Sequence, residues 1–410
     1  MGGGGSGGDC PRRFLLRARY VFPVARPPIP RGVVTIEGGR IVEVGDRAGA
    51  DVADLGNVAI LPGMVNAHTH LEFSDLAAPL GQPGIPLSDW IRLLLQHRRQ
   101  PGRSLERSVR LGLEQSGRLG TAAVGEIAQQ GWPVECFQHA LLASVVFLEQ
   151  IAPAAERIAG AFESACRHLD AAASSVWRAG LSPHAAYSVH PELLARLVAL
   201  SAVREVPLAM HLAESPEEIE FLRHGRGPLR EFLGRVEGWD PNAFAPGRRP
   251  LDFLVALAAA YRTLVIHGNY LDQEEIAFLA DHADHMTVVY CPRSHAFFGH
   301  APYPLQRLLE AGVAVALGTD SRASAPDLSV LAEMRLVARR YPGLSGGEVL
   351  ELGTLAGARA LGVQSELGSI EQGKQARLAI VGLPDRRAAD PHALLFDSAE
   401  PVLPACAQIP

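Results

Sequence analysis

The chain has 410 residues, a formal net charge of −6 and 48% hydrophobic residues, with few aromatic ones. This composition is typical of a globular protein with a sizeable core, and the length favours one large domain with a smaller one beside it. The negative charge excludes the usual electrostatic footprint of proteins that bind nucleic acids or anionic membranes. We therefore expect a small-molecule partner and no nucleic-acid partner.

The first residues and the cysteines narrow the class further. Residues 1–9 are nearly all glycine and contain no apolar signal segment, so we expect a disordered tail and a cytoplasmic protein. No apolar run approaches membrane-spanning length, so no membrane partner is expected. The five cysteines are scattered and odd in number, without a Cys-x-x-Cys pair. This argues against a disulfide framework or a structural zinc knuckle.

Short strands are predicted near both ends of the chain. Residues 33–45 alternate apolar and polar side chains around a Gly-Gly pair, which is a hairpin signal. Residues 368–381 are similar in character. We therefore expect a small β-sandwich domain composed of residues 10–60 and 366–410, closed across the middle of the chain.

Between these segments, apolar strand-like runs alternate with helical patterns, which is typical of a parallel α/β sheet. Eight such units predict a (β/α)8 TIM-like barrel over residues 61–365. No Gly-x-Gly-x-x-Gly follows the first strand, which argues against a dinucleotide-binding sheet. The predicted strands are residues 65–70, 121–127, 141–148, 179–183, 208–212, 264–267, 287–291 and 313–318.

Histidines and one aspartate follow several of these strands, at the barrel end where catalytic groups lie. His68 and His70 are two residues apart on the first strand, so their side chains point the same way. His211 ends the fifth strand and Asp320 follows the eighth. Three imidazoles and one carboxylate suit a divalent ion such as Zn²⁺ or Fe²⁺, which would lower the pKa of a bound water to about 7. We predict that these four side chains bind one ion.

Glu214 lies three residues beyond His211, immediately before a Ser-Pro-Glu-Glu helix start. Its predicted role is that of a proton shuttle at the barrel mouth. The alternative is a surface carboxylate favoured by the helix dipole. His184 and His267 follow the fourth and sixth strands and are predicted to hydrogen-bond the substrate or transition state.

Four further residues are predicted to bind substrate. Glu72 is the next inward position beyond His70 and would accept from a hydroxyl or an amine. Arg293 would bind an anionic substituent, unless it is a solvated loop residue. His295 would line the pocket after the seventh strand, unless it only satisfies loop backbone groups, and Ser321 follows the eighth strand.

Together with these residues, the segments at 61–70, 318–321 and 367–374 resemble the amidohydrolase superfamily, over nearly the whole chain except the glycine tail. Binuclear members usually bridge two metal ions with a carboxylated lysine on the fourth strand. Lys374 is the only lysine and lies outside the predicted barrel. The resemblance therefore implies a mononuclear aminohydrolase with one divalent ion, Zn²⁺ first and Fe²⁺ as the alternative. That group includes adenosylhomocysteine and aminodeoxyfutalosine deaminases and the triazine chlorohydrolases.

Within that group, residues 182–188 and 211–214 look like the nucleoside deaminase pattern, and residues 68–74 are similar to aminodeoxyfutalosine deaminases. The resemblance implies hydrolytic deamination of an aminopurine nucleoside-like substrate, with release of ammonia. The expected substrate is 6-amino-6-deoxyfutalosine, of the menaquinone pathway. Glu214 would protonate the ring nitrogen, while His267 and Asp320 would orient the nucleophile.

Three other outcomes stay open. The same site would suit a chlorohydrolase or a cyclic amidohydrolase acting on another N-heterocycle. A catalytically inactive scaffold of the same fold is the alternative from a different class. A homodimer is a further expectation.

Overall fold

The computed structural model of the chain describes residues 13–47, 52–173, 175–236 and 238–403. The predicted glycine-rich tail at residues 1–9 lies outside these described ranges. Within them, no helix is both long enough and apolar enough to cross a bilayer.

The described residues form seventeen strands in three sheets. In chain order they are β1 (Arg13–Arg17), β2 (Tyr20–Val21), β3 (Ile29–Pro30), β4 (Val33–Glu37), β5 (Arg40–Gly45), β6 (Val52–Asp54), β7 (Val58–Pro62), β8 (Met64–Thr69), β9 (Thr121–Ala128), β10 (Ala143–Gln150), β11 (Arg178–Pro183), β12 (Pro207–Leu212), β13 (Arg262–His267), β14 (Met286–Tyr290), β15 (Ala314–Leu317), β16 (Leu378–Gly382) and β17 (Val402–Leu403).

The same residues contain fifteen α-helices and two short 3-10 helices, Leu71–Phe73 and Pro241–Ala243. The α-helices are α1 (Leu87–Arg98), α2 (Leu105–Arg118), α3 (Val134–Gln138), α4 (Ala155–Ala172), α5 (Pro191–Arg204), α6 (Pro216–His224), α7 (Pro228–Leu233), α8 (Pro250–Leu257), α9 (Gln273–Asp281), α10 (Pro292–Phe297), α11 (Leu305–Glu310), α12 (Val330–Arg340), α13 (Gly346–Leu352), α14 (Leu355–Ala360) and α15 (His392–Phe396).

Strands β8 to β15 form one parallel sheet in chain order, and all eight predicted barrel strands are present within two residues of their predicted ends. The sheet closes where the chain after β15 meets β8: the backbone amides of Thr319 and Asp320 each donate to the carbonyl of His68 at 3.1 Å. Gly318 makes this approach possible, because a Cβ there would lie 2.9 Å from that same carbonyl oxygen. The predicted TIM-like barrel is confirmed.

The barrel interior is filled by small and β-branched side chains, which pack well on a closed sheet. Val65, Ala67, Ala209, Ile266 and Ala316 are all buried in one apolar cluster. A second, larger cluster lies between the strands and the surrounding helices. Both layers hold the strand ends rigidly, and this fixes where the polar side chains after them can lie.

The two ends of the chain supply the other sheets, with strand orders β5-β4-β1-β6 and β17-β16-β7-β2-β3. The predicted hairpin is present as β4 and β5, and Gly38 and Gly39 have the positive φ angles of 57° and 75° that a tight type I′ turn needs. Strand β16 pairs with β7, so one sheet joins both ends of the chain as expected. Residues 368–373 were predicted as strand but form turns, since Gly368 and Gly373 both have positive φ.

Candidate active site

Three histidines and Asp320 converge at the carboxyl end of the barrel. The Nε2 atoms of His70 and His211 are 3.3 Å apart. The Nε2 atoms of His68 and His70 lie 3.7 and 3.8 Å from Asp320 Oδ1. His267 belongs to the same cluster, because one ring nitrogen from each of His68, His211 and His267 lies within 4.8 Å of the others. The structure thus brings together the four predicted metal ligands, with His267 beside them.

The imidazole nitrogens in this cluster are available to a metal ion. Both ring nitrogens of His68 and Nδ1 of His70 are buried without a hydrogen-bond partner among the described residues. Such atoms are costly to bury unless an ion or a ligand engages them. His211 donates from Nδ1 to the carbonyl of His184 at 3.0 Å, which leaves the lone pair of Nε2 free. Burial lowers the pKa of His211 to about 3, so the ring is neutral, as a ligand must be.

Asp320 is held so that only one of its carboxylate oxygens faces the histidines. The hydroxyls of Ser294 and Ser324 both donate to Oδ2 at 2.7 Å, and Oδ1 is left toward His68 and His70. Burial alone would raise the pKa of Asp320, but the surrounding imidazoles lower it below its ordinary range. The side chain is therefore an oriented anion at the centre of the cluster.

Three non-glycine residues at these strand ends adopt left-handed backbone conformations. Ala213, His267 and Asp320 have φ angles of 54°, 70° and 56°. Each such conformation costs roughly 1–3 kcal/mol and persists only when the surrounding structure imposes it. These three are half of the six non-glycine residues with positive φ among the described residues, and they orient the side chains of the cluster.

Glu214 lies at the strand-to-helix junction, where the sequence predicted it. The predicted helix cap is present, since Ser215 Oγ accepts a hydrogen bond from the amide of Glu218. The carboxylate of Glu218 in turn binds the amides of Ala213 and Glu214 at 3.0 and 2.8 Å. These contacts fix the backbone around Glu214.

The carboxyl group of Glu214 is buried beside the cluster, with Oε1 3.5 Å from Nε2 of His267. Burial raises the pKa of Glu214 well above its ordinary value, and the negative charges of Asp320 and Glu218 raise it further. This shift favours the protonated form of the carboxyl group, which is the form that a proton donor needs.

A pocket opens directly above the cluster, and α1 and the chain around α7 form an apolar wall on one side of it. His184 and Ser321 line it, as predicted, and so do several residues that sequence reasoning missed. The missed lining residues include Phe73, Leu87, Trp90, Ile91, Leu94, Leu95, Arg98, Glu149, Ile151, Phe232, Leu233, Val236 and Trp239.

A usable signal existed for only one of these missed residues. Glu149 is the second-last residue of the third barrel strand, so the strand-end rule that selected the histidines would also have selected it. The apolar spacing in α1 predicts a buried helix face, but it does not say whether that face meets the core or a pocket.

Glu72 does not line the pocket, and its predicted role in binding substrate is wrong. Strand β8 ends at Thr69, and the chain then turns into a 3-10 helix, so the alternation that placed Glu72 inward no longer applies. Its two carboxylate oxygens accept from Arg98 at 2.7 and 3.2 Å. Glu72 therefore holds Arg98, and Arg98 is the residue that reaches the pocket wall.

Arg293 is also not available to a substrate. Its guanidinium binds the carboxylates of Glu333 at 2.6 Å and Asp327 at 2.7 Å, and its side chain is only 12% exposed. These ion pairs join α10 to α12. The prediction that Arg293 binds an anionic substituent is therefore corrected: its role is structural.

We expect Arg293→Met to lower the free energy of unfolding by about 3–5 kcal/mol, because it leaves the buried carboxylate of Glu333 without its partner. The double variant Arg293→Met, Glu333→Leu should recover part of that loss. Urea unfolding of the three proteins measures both effects. A loss below about 1 kcal/mol in the single variant, the value for a surface pair, would contradict this role.

His295 likewise lies away from the pocket, so its predicted contact with substrate is corrected. Its Nε2 is paired with the carbonyl of Ala301 at 2.9 Å, and its ring packs against Tyr290 and Tyr303. Helix α10 begins two residues after the end of β14, and it directs the ring of His295 toward the loop that contains Ala301. This contact matches the alternative prediction from the sequence, in which His295 hydrogen-bonds a backbone group of the loop.

Comparison with known proteins agrees with this geometry. The profile of the amidohydrolase family matches residues 59–404. The 5-methylthioadenosine/S-adenosylhomocysteine deaminase of Moorella thermoacetica is 30% identical over 404 residues, covering 90% of this chain and 86% of that protein. The aminodeoxyfutalosine deaminase of Deinococcus radiodurans is 31% identical over 339 residues, covering 77% and 75%.

Among solved structures, Helicobacter pylori aminofutalosine deaminase in complex with methylthio-coformycin superposes with a TM-score of 0.81. It is 24% identical and covers 95% of this chain and 97% of its own, which shows the shared fold. The matched range of the profile includes the strand ends that hold the cluster. The chain therefore belongs to the amidohydrolase family, a family of metal-dependent hydrolases.

Proposed function

We propose that this protein is a hydrolytic deaminase of an aminopurine nucleoside, and that 6-amino-6-deoxyfutalosine is its substrate. The observation that carries the proposal is the buried carboxyl group of Glu214, 3.5 Å from His267, beside a cluster of imidazoles and the carboxylate of Asp320. Water activation and proton delivery to a leaving group need these two features together. The names of both relatives, deaminases of adenosine-like or futalosine-like compounds, support the reaction class.

In this proposal His68, His70, His211 and Asp320 hold one divalent ion. Imidazole and carboxylate ligands suit Zn²⁺, with Fe²⁺ as the alternative. Nε2 of His68, which is buried without a hydrogen-bond partner among the described residues and lies 3.7 Å from Asp320 Oδ1, supports such a site. When bound, the ion supplies Lewis-acid activation of water at neutral pH.

The chain's own groups then move the protons. Glu214 gives its proton to the ring nitrogen next to the carbon under attack, and takes up a proton from the attacking water. Asp320 Oδ1 accepts a hydrogen bond from the nucleophile, and His267 orients it. The water oxygen bonds to the ring carbon, and Glu214 passes the proton that it took from the water to the amino group, so that the carbon–nitrogen bond breaks and ammonia leaves. The proton of the remaining hydroxyl returns to Glu214 as the carbonyl forms.

The test is release of ammonia by the metal-loaded enzyme from 6-amino-6-deoxyfutalosine, 5′-deoxy-5′-methylthioadenosine, adenosylhomocysteine and adenosine. We expect turnover of at least one of these nucleosides, with 6-amino-6-deoxyfutalosine the best of them. Cytosine and a chlorotriazine serve as heterocyclic comparison substrates, to detect other reactions that this fold supports. Chloride release without ammonia from any nucleoside would overturn the proposal, and so would a protein that binds no metal.

We also propose that the domain boundaries lie where the sequence predicts them, near residues 60 and 366. Support comes from β7, which pairs with β16 in the terminal sheet, while β8 begins the barrel two residues later.

A further inference from the structure

One carboxylate on the pocket wall has an oxygen that nothing in the protein engages. Glu149 is the second-last residue of β10 and lines the pocket, and its side chain is only 2% exposed. Its Oε2 accepts a hydrogen bond from the side-chain amide of Gln129, while Oε1 is buried with no partner among the described residues. Such a buried acceptor costs about 1–3 kcal/mol unless a ligand supplies a donor.

His184 offers a second acceptor beside it. Ser188 donates its single hydroxyl proton to the carbonyl of Ala185, so its oxygen accepts from Nδ1 of His184 at 2.6 Å. This network assigns the proton to Nδ1 and leaves a lone pair on Nε2.

The two acceptors face the same part of the pocket. Nε2 of His184 lies 3.9 Å from Oε1 of Glu149, which is too long for a hydrogen bond between them. Arg98 lies near enough for its charge to act on Glu149, but none of its N–H groups donates to Oε1; two of them donate to Glu72. Glu149 Oε1 and His184 Nε2 can therefore both accept hydrogen bonds from a bound molecule.

A cation is not the best occupant of this place. Glu149, His184 and His211 lie close enough to hold one, with ligand atoms within 4.8 Å of each other. However, Nε2 of His211 is 3.3 Å from Nε2 of His70 and already belongs to the main cluster. A single lone pair binds a single ion, so only Glu149 and His184 are left, and two ligands are too few for a closed site.

We infer that Glu149 Oε1 and His184 Nε2 accept hydrogen bonds from the neighbouring 2′- and 3′-hydroxyls of the substrate's ribose. The inference rests on the proposed function, which puts a nucleoside in this pocket. Two adjacent acceptors match two adjacent donors, and a carboxylate is a usual partner of ribose hydroxyls. The pair lies one ring beyond the main cluster, with the rings of His184 and His211 5.2 Å apart, beside the place of the reacting base.

The test is the binding of inosine and 2′,3′-dideoxyinosine to the metal-loaded protein by isothermal titration calorimetry. Neither compound carries the amine that is hydrolysed, so the readout does not depend on turnover. We expect wild type to bind inosine at least about tenfold more tightly than 2′,3′-dideoxyinosine, because the dideoxy compound leaves both buried acceptors unpaired. Glu149→Gln and Glu149→Leu should lower this preference to about threefold or less, because only the acceptor on His184 is left for the two hydroxyls.

The matched control is Glu163→Gln, which changes the same group on the exposed face of α4 and should keep the wild-type ratio. If Glu149→Leu unfolds at a much lower temperature, the isosteric Glu149→Gln carries the comparison. Equal affinities in wild type, no binding of either compound, or an unchanged ratio in Glu149→Gln would overturn the inference.

Ammonia release from adenosine separates the two claims. A tenfold preference for inosine without ammonia release from any nucleoside would support the hydroxyl contacts and overturn the proposed reaction. Ammonia release with equal binding of inosine and 2′,3′-dideoxyinosine would support the proposed reaction and overturn the hydroxyl contacts.

Discussion

Replacing Glu214 with glutamine should lower kcat by about 10²–10⁴-fold, the usual contribution of a general acid–base group. Glutamine keeps the size and polarity of the side chain, but its amide cannot give and take a proton. Burial raises the pKa of Glu214, and its carboxyl group lies 3.5 Å from His267 beside the cluster, which suits proton transfer at this place. Steady-state rates of ammonia release from the best nucleoside substrate measure the loss.

The metal content of Glu214→Gln should equal that of wild type, since the four predicted ligands are untouched. Glu220→Gln provides the matched control, because this carboxylate lies six residues further along the chain, on α6, and is paired with Arg226 at 3.0 Å outside the pocket. Its kcat should match wild type. A wild-type rate in Glu214→Gln would remove Glu214 from the reaction, and loss of metal would make it a ligand.

Replacing Asp320 should abolish metal binding and activity together. We expect both Asp320→Ala and Asp320→Asn to retain less than about a tenth of an equivalent of metal after purification, because the only anion among the four ligands is lost. Asparagine is the cleaner replacement, since it tolerates the left-handed φ of 56° at this position better than alanine does. Elemental analysis and ammonia release measure the two losses in the same samples.

Ser324→Ala is the graded control for Asp320. It removes one of the two hydroxyls that hold Oδ2 and leaves the carboxylate in place. Loss of such an outer partner typically costs 10–100-fold in metal affinity or activity, so its effect should be clearly smaller than that of either Asp320 variant. Full metal content and normal turnover in Asp320→Asn would contradict the assignment of this residue as a ligand.

The barrel could be predicted from the sequence because each strand carries its own signal. Apolar runs separated by helical patterns located all eight strands to within two residues, and local turn chemistry located the β4–β5 hairpin and the cap of α6. These signals depend on residues that are close in the chain, so they survive without knowledge of the fold. Residues 368–373 show the limit, since glycines with positive φ changed a strand-like run into turns.

The same distinction between local sequence signals and long-range contacts applies to the candidate active site. Strand ends meet at one end of a parallel barrel, and this placed His68, His70, His211 and Asp320 together. The same reasoning failed for Arg293 once the chain had left its strand. Its partners, Asp327 and Glu333, are 34 and 40 residues away, and only packing decides such contacts.

The sequence by itself determined the fold class, the strand ends and the residue types that converge there, because period and position along a strand dictate which way a side chain points. The tertiary structure decided which polar groups are already satisfied and which still face the pocket. Glu72 and Arg293 carry charges that neighbouring elements engage, whereas Glu149 keeps one oxygen without a partner. Hydrogen-bond satisfaction depends on atoms from distant parts of the chain meeting within about 3 Å, and no local pattern in the sequence records that distance.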